Sequence, residues 1–222
     1  LDTSRGLGDV YKRQALPEDE FLSAVASIVR VTDLPLSVDF EDGYSDDPAA
    51  VVRLITKLVD LGVVGINLED GSKSPDLLVS KIKAIREALG DCGLYINART
   101  DIYLRNLVPA EQRLQASLDR AQQYIAAGAS GIFLPGIHDA EEIKQAVNSL
   151  PAPVNLLIEP GIPDYATLNE LQVKRLSAGS GTFLAAYDAG LRAMQQVNAG
   201  EWPDRANDML TYPQMNQHLQ VE

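Results

Sequence analysis

Residues 36–48 read LSVDFEDGYSDDP, residues 65–70 read GINLED, and residues 95–101 read YINARTD. Each is a short apolar run that ends in acids. In each, the polar residues fall on alternate positions, and side chains along a strand alternate between faces. Leu36, Val38 and Phe40 therefore share one face, and Ser37, Asp39 and Glu41 share the other. Ile66 and Leu68 oppose Asn67 and Glu69, while Ile96 and Ala98 oppose Asn97, Arg99 and Asp101. Further on, Val154 and Leu156 oppose Asn155, and Leu176 and Ala178 oppose Ser177 and Gly179. In a barrel the apolar side chains pack outward beneath helices while the alternate set converges inside, with the chemistry at the C-terminal strand ends. Burying so many polar groups without a task would cost several kcal/mol. The parity marks an active-site register.

From Leu16 onward helical and strand patterns alternate. Pro17 followed by Glu18, Asp19 and Glu20 opens a helix with Phe21, Leu22, Val25, Ile28 and Val29 as its apolar stripe. Strands are predicted at Leu36–Phe40, Val64–Leu68, Leu94–Ala98, Gly131–Leu134, Val154–Ile158 and Arg175–Ala178. Helices are predicted over Pro48–Leu61, Pro75–Leu89, Pro109–Ala127, Asp139–Leu150, Asp164–Leu171 and Thr182–Val197. Asp47 stands where a helix cap belongs, and Gly62 and Gly128 stand where helices close. This alternation is that of β/α units with a parallel sheet. The fold class is therefore α/β, of the (β/α)8 TIM-barrel type, with about six of the eight β/α units present. A doubly wound open sheet is the rival, but no G-x-G-x-x-G follows any strand.

Residues 1–14 stand apart. Ser4–Gln14 reads SRGLGDVYKRQ, a basic run without apolar periodicity that back-translates to a transposase-type sequencing adaptor read in frame. The expected organisation is a non-native segment over 1–14, a partial barrel over 15–200 and a tail over 201–222. A ring short of two units leaves a gap between its first and last strands. The chain as written is therefore expected not to form a closed, active barrel, and its unpaired edges to invite aggregation.

Composition narrows the chemistry. The 222 residues are 45% apolar and 23% charged, ordinary for a globular domain. Thirty-one acidic against 19 basic residues give a formal charge of −12, which argues against a nucleic-acid partner. No apolar run is long enough for a membrane span, and no signal peptide opens the chain, so a cytoplasmic location is expected. One cysteine, Cys92, excludes an internal disulfide, and two histidines, His138 and His218, leave little for a nitrogen-rich metal site. A metal here would be held by oxygen, which favours Mg²⁺ or Mn²⁺.

Asp39 and Glu41 lie two apart and point the same way, and Glu69 joins them from the next strand. Converging carboxylates repel unless a cation sits between them or one stays protonated, and Mg²⁺ held through one or two carboxylates plus waters is the natural filling. Arg99 either holds a substrate carboxylate or phosphonate in a bidentate grip or bridges to Asp101 or Glu69. Gly179, Ser180 and Gly181 open the last helix, as an anion-binding turn or as a plain tight one. Cys92 reads as incidental and His138 as a surface residue.

These residues, in this order, resemble the isocitrate lyase/phosphoenolpyruvate mutase superfamily. The matches are SVDFEDGYSDDP at 37–48, GVVGINLEDGS at 62–72, YINARTDIYL at 95–104, GASGIFLPGI at 128–137 and VKRLSAGSG at 173–181, within Leu16 to Val197. The resemblance implies a barrel whose Mg²⁺ binds an α-oxo or α-hydroxy carboxylate, with C–C or P–C bonds made or broken through a pyruvate enolate. It implies that Asp39, Glu41 and Glu69 are metal-site acids, Glu69 acting through water. Arg99 would anchor the substrate, with Glu69 and Arg99 as the catalytic pair, and Asn155, Ser177 and Gly179 would line the pocket. Three departures stand out. Position 41 is glutamate where aspartate is usual, GSKSPD replaces the cysteine-bearing K-K-C-G-H motif, and the first two β/α units are missing.

The expected function is a Mg²⁺-dependent lyase or mutase, homo-oligomeric at full length, acting on a small anionic 2-oxo or dicarboxylic acid. The alternative is a barrel fragment without turnover that serves a binding or structural role. A metal-dependent aldolase would need histidine ligands that this chain lacks.

Overall fold

The computed structural model describes residues 17–90, 92–201 and 210–219. The adaptor-like residues 1–14 lie outside them. The chain divides into two compact units, one up to Gly179 and one from Ser180 onward.

In the first unit helices and strands alternate: α1 (Glu18–Val29), β1 (Ser37–Asp39), α2 (Pro48–Asp60), β2 (Gly65–Glu69), α3 (Pro75–Leu89) and β3 (Tyr95–Arg99). They continue with α4 (Arg113–Ala127), β4 (Gly131–Phe133), α5 (Ala140–Ser149), β5 (Val154–Leu157), α6 (Tyr165–Glu170) and β6 (Arg175–Ser177). Local chemistry sets the helix starts. Asp47 accepts from the Ala49 N–H at 3.0 Å ahead of Pro48, and Ser74 and Asp139 cap α3 and α5 in the same way. The helix expected from Pro109 begins instead as a 3-10 turn, Ala110–Gln112, closed by Gln112 N–H donating to Pro109 O at 2.9 Å.

All six strands are parallel and lie side by side in chain order, so β1 and β6 form the sheet edges among the described residues. The register stacks the polar positions in rows. Asp39 pairs with Asn67, and Asn67 with Asn97. One step toward the C-terminal ends, Glu69 pairs with Arg99, Arg99 with Phe133 and Phe133 with Asn155. The opposite faces of the strands carry Val38, Ile66, Leu68, Ile96, Ala98, Ile132, Val154 and Leu156. These share one hydrophobic cluster with Leu54, Ile55, Leu58, Leu78, Ile82 and Ile85 of the helices. Phe133 is buried but stands outside that cluster.

The second unit holds α7 (Gly181–Asn198) and α8 (Tyr212–Leu219). Within the expected tail over 201–222, Thr211 and Gln214 form a reciprocal cap at the start of α8. Along α7, Leu184, Tyr187, Leu191 and Met194 are all more than half exposed. Among the described residues no helix is long and apolar enough to cross a membrane.

One buried carboxylate ties sheet to helix. Asp70 accepts from Arg120 Nη1 at 2.7 Å, from Tyr124 Oη at 2.5 Å and from the Asp101 N–H at 3.0 Å, and it is 2% exposed. Burial, reinforced by Asp70, drives the Tyr124 hydroxyl far above its ordinary pKa, so it stays a donor. Removing one partner of such a group leaves buried charge unpaired. Asp70→Ala is expected to lower unfolding free energy by about 3–5 kcal/mol, read as an early urea midpoint with an unchanged slope.

Candidate active site

The site begins with a turn. At the end of β1 the chain enters left-handed conformations at Glu41 (φ +47°), Gly43 (φ +88°) and Tyr44 (φ +57°). A β-carbon at Gly43 would lie 3.0 Å from Val51 Cγ2, so that position needs glycine on two counts. Glu41 is held at both ends of its peptide unit. Its N–H donates to Asp39 Oδ1 at 3.3 Å, and its carbonyl accepts from the Glu69 N–H at 2.7 Å. The turn thereby carries the half-buried Asp39 and Glu41 to the C-terminal end of β2.

Arg99 lies at the centre, 6% exposed. Its Nη1 is 2.8 Å from Glu69 Oε2, and its Nε donates to Asp101 Oδ1 at 2.7 Å. The far oxygen of Asp101 accepts from Arg105 Nε at 2.7 Å, so Asp101 is fully committed. The Arg99 guanidinium also lies 5.7 Å from the centroid of the Phe133 ring. Burial alone would push its pKa down, but Glu69, Asp101 and Asp39 more than offset that, and the net shift is upward. Both bridges that the sequence offered as an alternative role for Arg99 are therefore present. Its Nη2, however, is buried without a hydrogen-bond partner among the described residues. A buried donor left unpaired is costly, and an anion would satisfy it.

Below this row, Asn97 Nδ2 donates to Asn67 Oδ1 at 2.8 Å, which continues the polar interior. On the other side, Asn155 Nδ2 donates to Ser177 Oγ at 3.0 Å, so the two expected lining residues face one another. Gly179 follows with φ +53°. The Ser180 side chain makes no capping bond to α7. His138 Nε2 lies 3.1 Å from Glu159 Oε1, at the protein surface as expected, and the Cys92 thiol is free and exposed.

Among the described residues no three His, Cys, Asp or Glu side chains form a ready metal cage. Glu69, one of the three expected acids, turns its carboxylate to Arg99. Asp39 and Glu41 stand at the end of β1, an all-oxygen donor pair. That fits an ion which keeps several waters and takes one or two carboxylates, as Mg²⁺ does. Two features escaped sequence reading. Neither Phe133, which pairs with Asn155 in the sheet register, nor Lys81, which shares a buried helix face with Leu78, Ile82 and Ile85, is singled out by the sequence patterns.

Known proteins sharing this arrangement can now be placed beside it. The description of the phosphoenolpyruvate phosphomutase family matches residues 2–198. Rv1998c of Mycobacterium tuberculosis H37Rv, an uncharacterized protein, is 37% identical over 183 residues, covering 80% of this chain and 67% of that protein. Oxaloacetate decarboxylase 1 of Pseudomonas fluorescens Pf0-1 is 33% identical over 195 residues, covering 80% of this chain and 65% of its own. The chain thus spans about two thirds of the length of these relatives. The crystal structure of phosphonopyruvate hydrolase with oxalate and Mg²⁺ shares the fold, with a TM-score of 0.76 at 20% identity, over 95% of this chain and 78% of that one. The six-stranded parallel β/α sheet agrees with that shared fold, and with a family match across residues 2–198 the chain belongs to the phosphoenolpyruvate phosphomutase family.

Proposed function

We propose that the protein is a Mg²⁺-dependent lyase acting on a small 2-oxo dicarboxylic acid, with oxaloacetate as the first substrate to test. The observation that carries this reading is the unpaired, buried Nη2 of Arg99 beside Asp39, Glu69 and Asp101. A guanidinium so placed takes a substrate carboxylate, and the surrounding acids discourage any larger anionic cluster. Similarity to oxaloacetate decarboxylase 1 supports the substrate class, and the oxalate and Mg²⁺ in phosphonopyruvate hydrolase support the cofactor.

Asp39 and Glu41 would hold the ion, with Glu69 contacting it through water. When bound, Mg²⁺ or Mn²⁺ would supply Lewis-acid polarisation of the 2-oxo group. The remaining work falls to the chain. Arg99 orients the carboxylate, with Phe133 beside its guanidinium. Asn155 and Ser177 offer a second hydrogen-bonding edge across the pocket. In decarboxylation the bond between C3 and the departing carboxylate breaks. Its electron pair passes into the enolate of pyruvate, CO₂ leaves, and C3 takes a proton from solvent. Assembly as a homo-oligomer belongs to the same reading, because the exposed apolar residues of α7 are of the kind that a second copy covers.

Calorimetry is expected to show Mg²⁺ or Mn²⁺ binding that Asp39→Ala abolishes, and unchanged binding in that variant would remove Asp39 from the metal site. Turnover of oxaloacetate, phosphonopyruvate and substituted malates, with and without Mg²⁺, identifies the reaction. Loss of activity without Mg²⁺ toward one of these acids is the expected pattern. Arg99→Lys replaces a fork by a point charge and is expected to cost about 2 kcal/mol or more in kcat/KM, roughly thirtyfold, at nearly unchanged Tm. Equal activity would leave Arg99 with its structural bridges alone.

A further inference from the structure

Lys81 is a cation in the wrong place for a surface helix. It shares the buried face of α3 with Leu78, Ile82 and Ile85, and its side chain is 2% exposed. Burying an ammonium is expensive unless specific groups receive it. Its Nζ donates to the Asp42 carbonyl at 2.6 Å, while Asp46 Oδ1 is 4.0 Å away. The buried charge is thus spent mainly on one backbone oxygen. That oxygen lies inside the turn whose neighbours Glu41, Gly43 and Tyr44 are left-handed. Non-glycine residues persist in that region only when their surroundings over-determine them.

We propose that Lys81 is a positioning residue: its ammonium, anchored on the Asp42 carbonyl, locks the turn that presents Asp39 and Glu41 and so sets their affinity for a divalent cation. This rests on the metal reading given above. A second lysine grips the same turn from outside. Lys73 Nζ reaches Asp42 Oδ2 at 2.7 Å and Asp46 Oδ1 at 2.5 Å. Lys73 is 41% exposed, so water and salt screen its hold, whereas Lys81 acts in a dry interior. The buried lysine carries the lock.

The test compares the parent chain with Lys81→Met, Lys81→Arg and Lys73→Met. MgCl₂ and MnCl₂ binding is measured by calorimetry, and hydrogen exchange is followed over residues 37–47 and at Glu69. Lys81→Met keeps the stem and removes the ammonium. It is expected to melt no lower than the parent, to bind Mg²⁺ and Mn²⁺ at least tenfold more weakly, and to exchange faster across the turn. Lys81→Arg restores a cationic donor and is expected within threefold of the parent, as is Lys73→Met. Parent-like affinity in Lys81→Met overturns the proposal, and so does weakened affinity with unchanged exchange. An arginine variant as weak as the methionine one would move the effect to packing and also overturn it. If the parent itself takes up neither metal, the cation reading fails on its own account. Faster exchange in Lys81→Met then still supports the lock, and unchanged exchange sinks it. Lys81→Gln is read in the same way should the methionine variant not fold.

Discussion

A guanidinium placed inside a parallel sheet must be answered by negative charge, and most of the site follows from that requirement. Arg99 sits on β3 with Glu69 beside it on β2 and Asp101 two residues further on. Asp101 in turn takes Arg105, and its backbone N–H donates to Asp70, which collects Arg120 and Tyr124 from α4. The result is a linked network of ion pairs and hydrogen bonds that runs from the site to α4. Each member is costly alone and tolerable only with its partners. Removing the charge of Asp70 would therefore leave Arg120 and Tyr124 without their buried partner.

The same arrangement separates two roles that acids at the strand ends might have shared. Glu69 and Asp101 serve the arginine, while Asp39 and Glu41 stand on a turn held by the Glu69 N–H and by Lys81. The short segment after Glu69, GSKSPD, contributes Lys73 to the outer side of that turn. A loop without a thiol thus acts here as a brace.

Phe133 belongs to the surroundings of the arginine rather than to the apolar core. It is buried, yet it packs outside the hydrophobic cluster and against the arginine.

Alternation of apolar and polar residues was enough to read the six strands and their parallel pairing, because the two-residue period of a strand leaves no other way to bury Ile66, Leu68 and Ile96. Capping residues placed the helix starts equally well, since Asp47, Ser74 and Asp139 act within their own segments. What only the tertiary structure decided was pairing. Whether Glu69 would face a cation or Arg99, whether Lys81 would lie on the surface or under a loop, and whether Phe133 would join the core all depend on atoms from strands and helices far apart in the chain. A local pattern states which face a side chain takes. It cannot state which charge will meet it there, because that choice is made by long-range packing in a medium where water no longer screens.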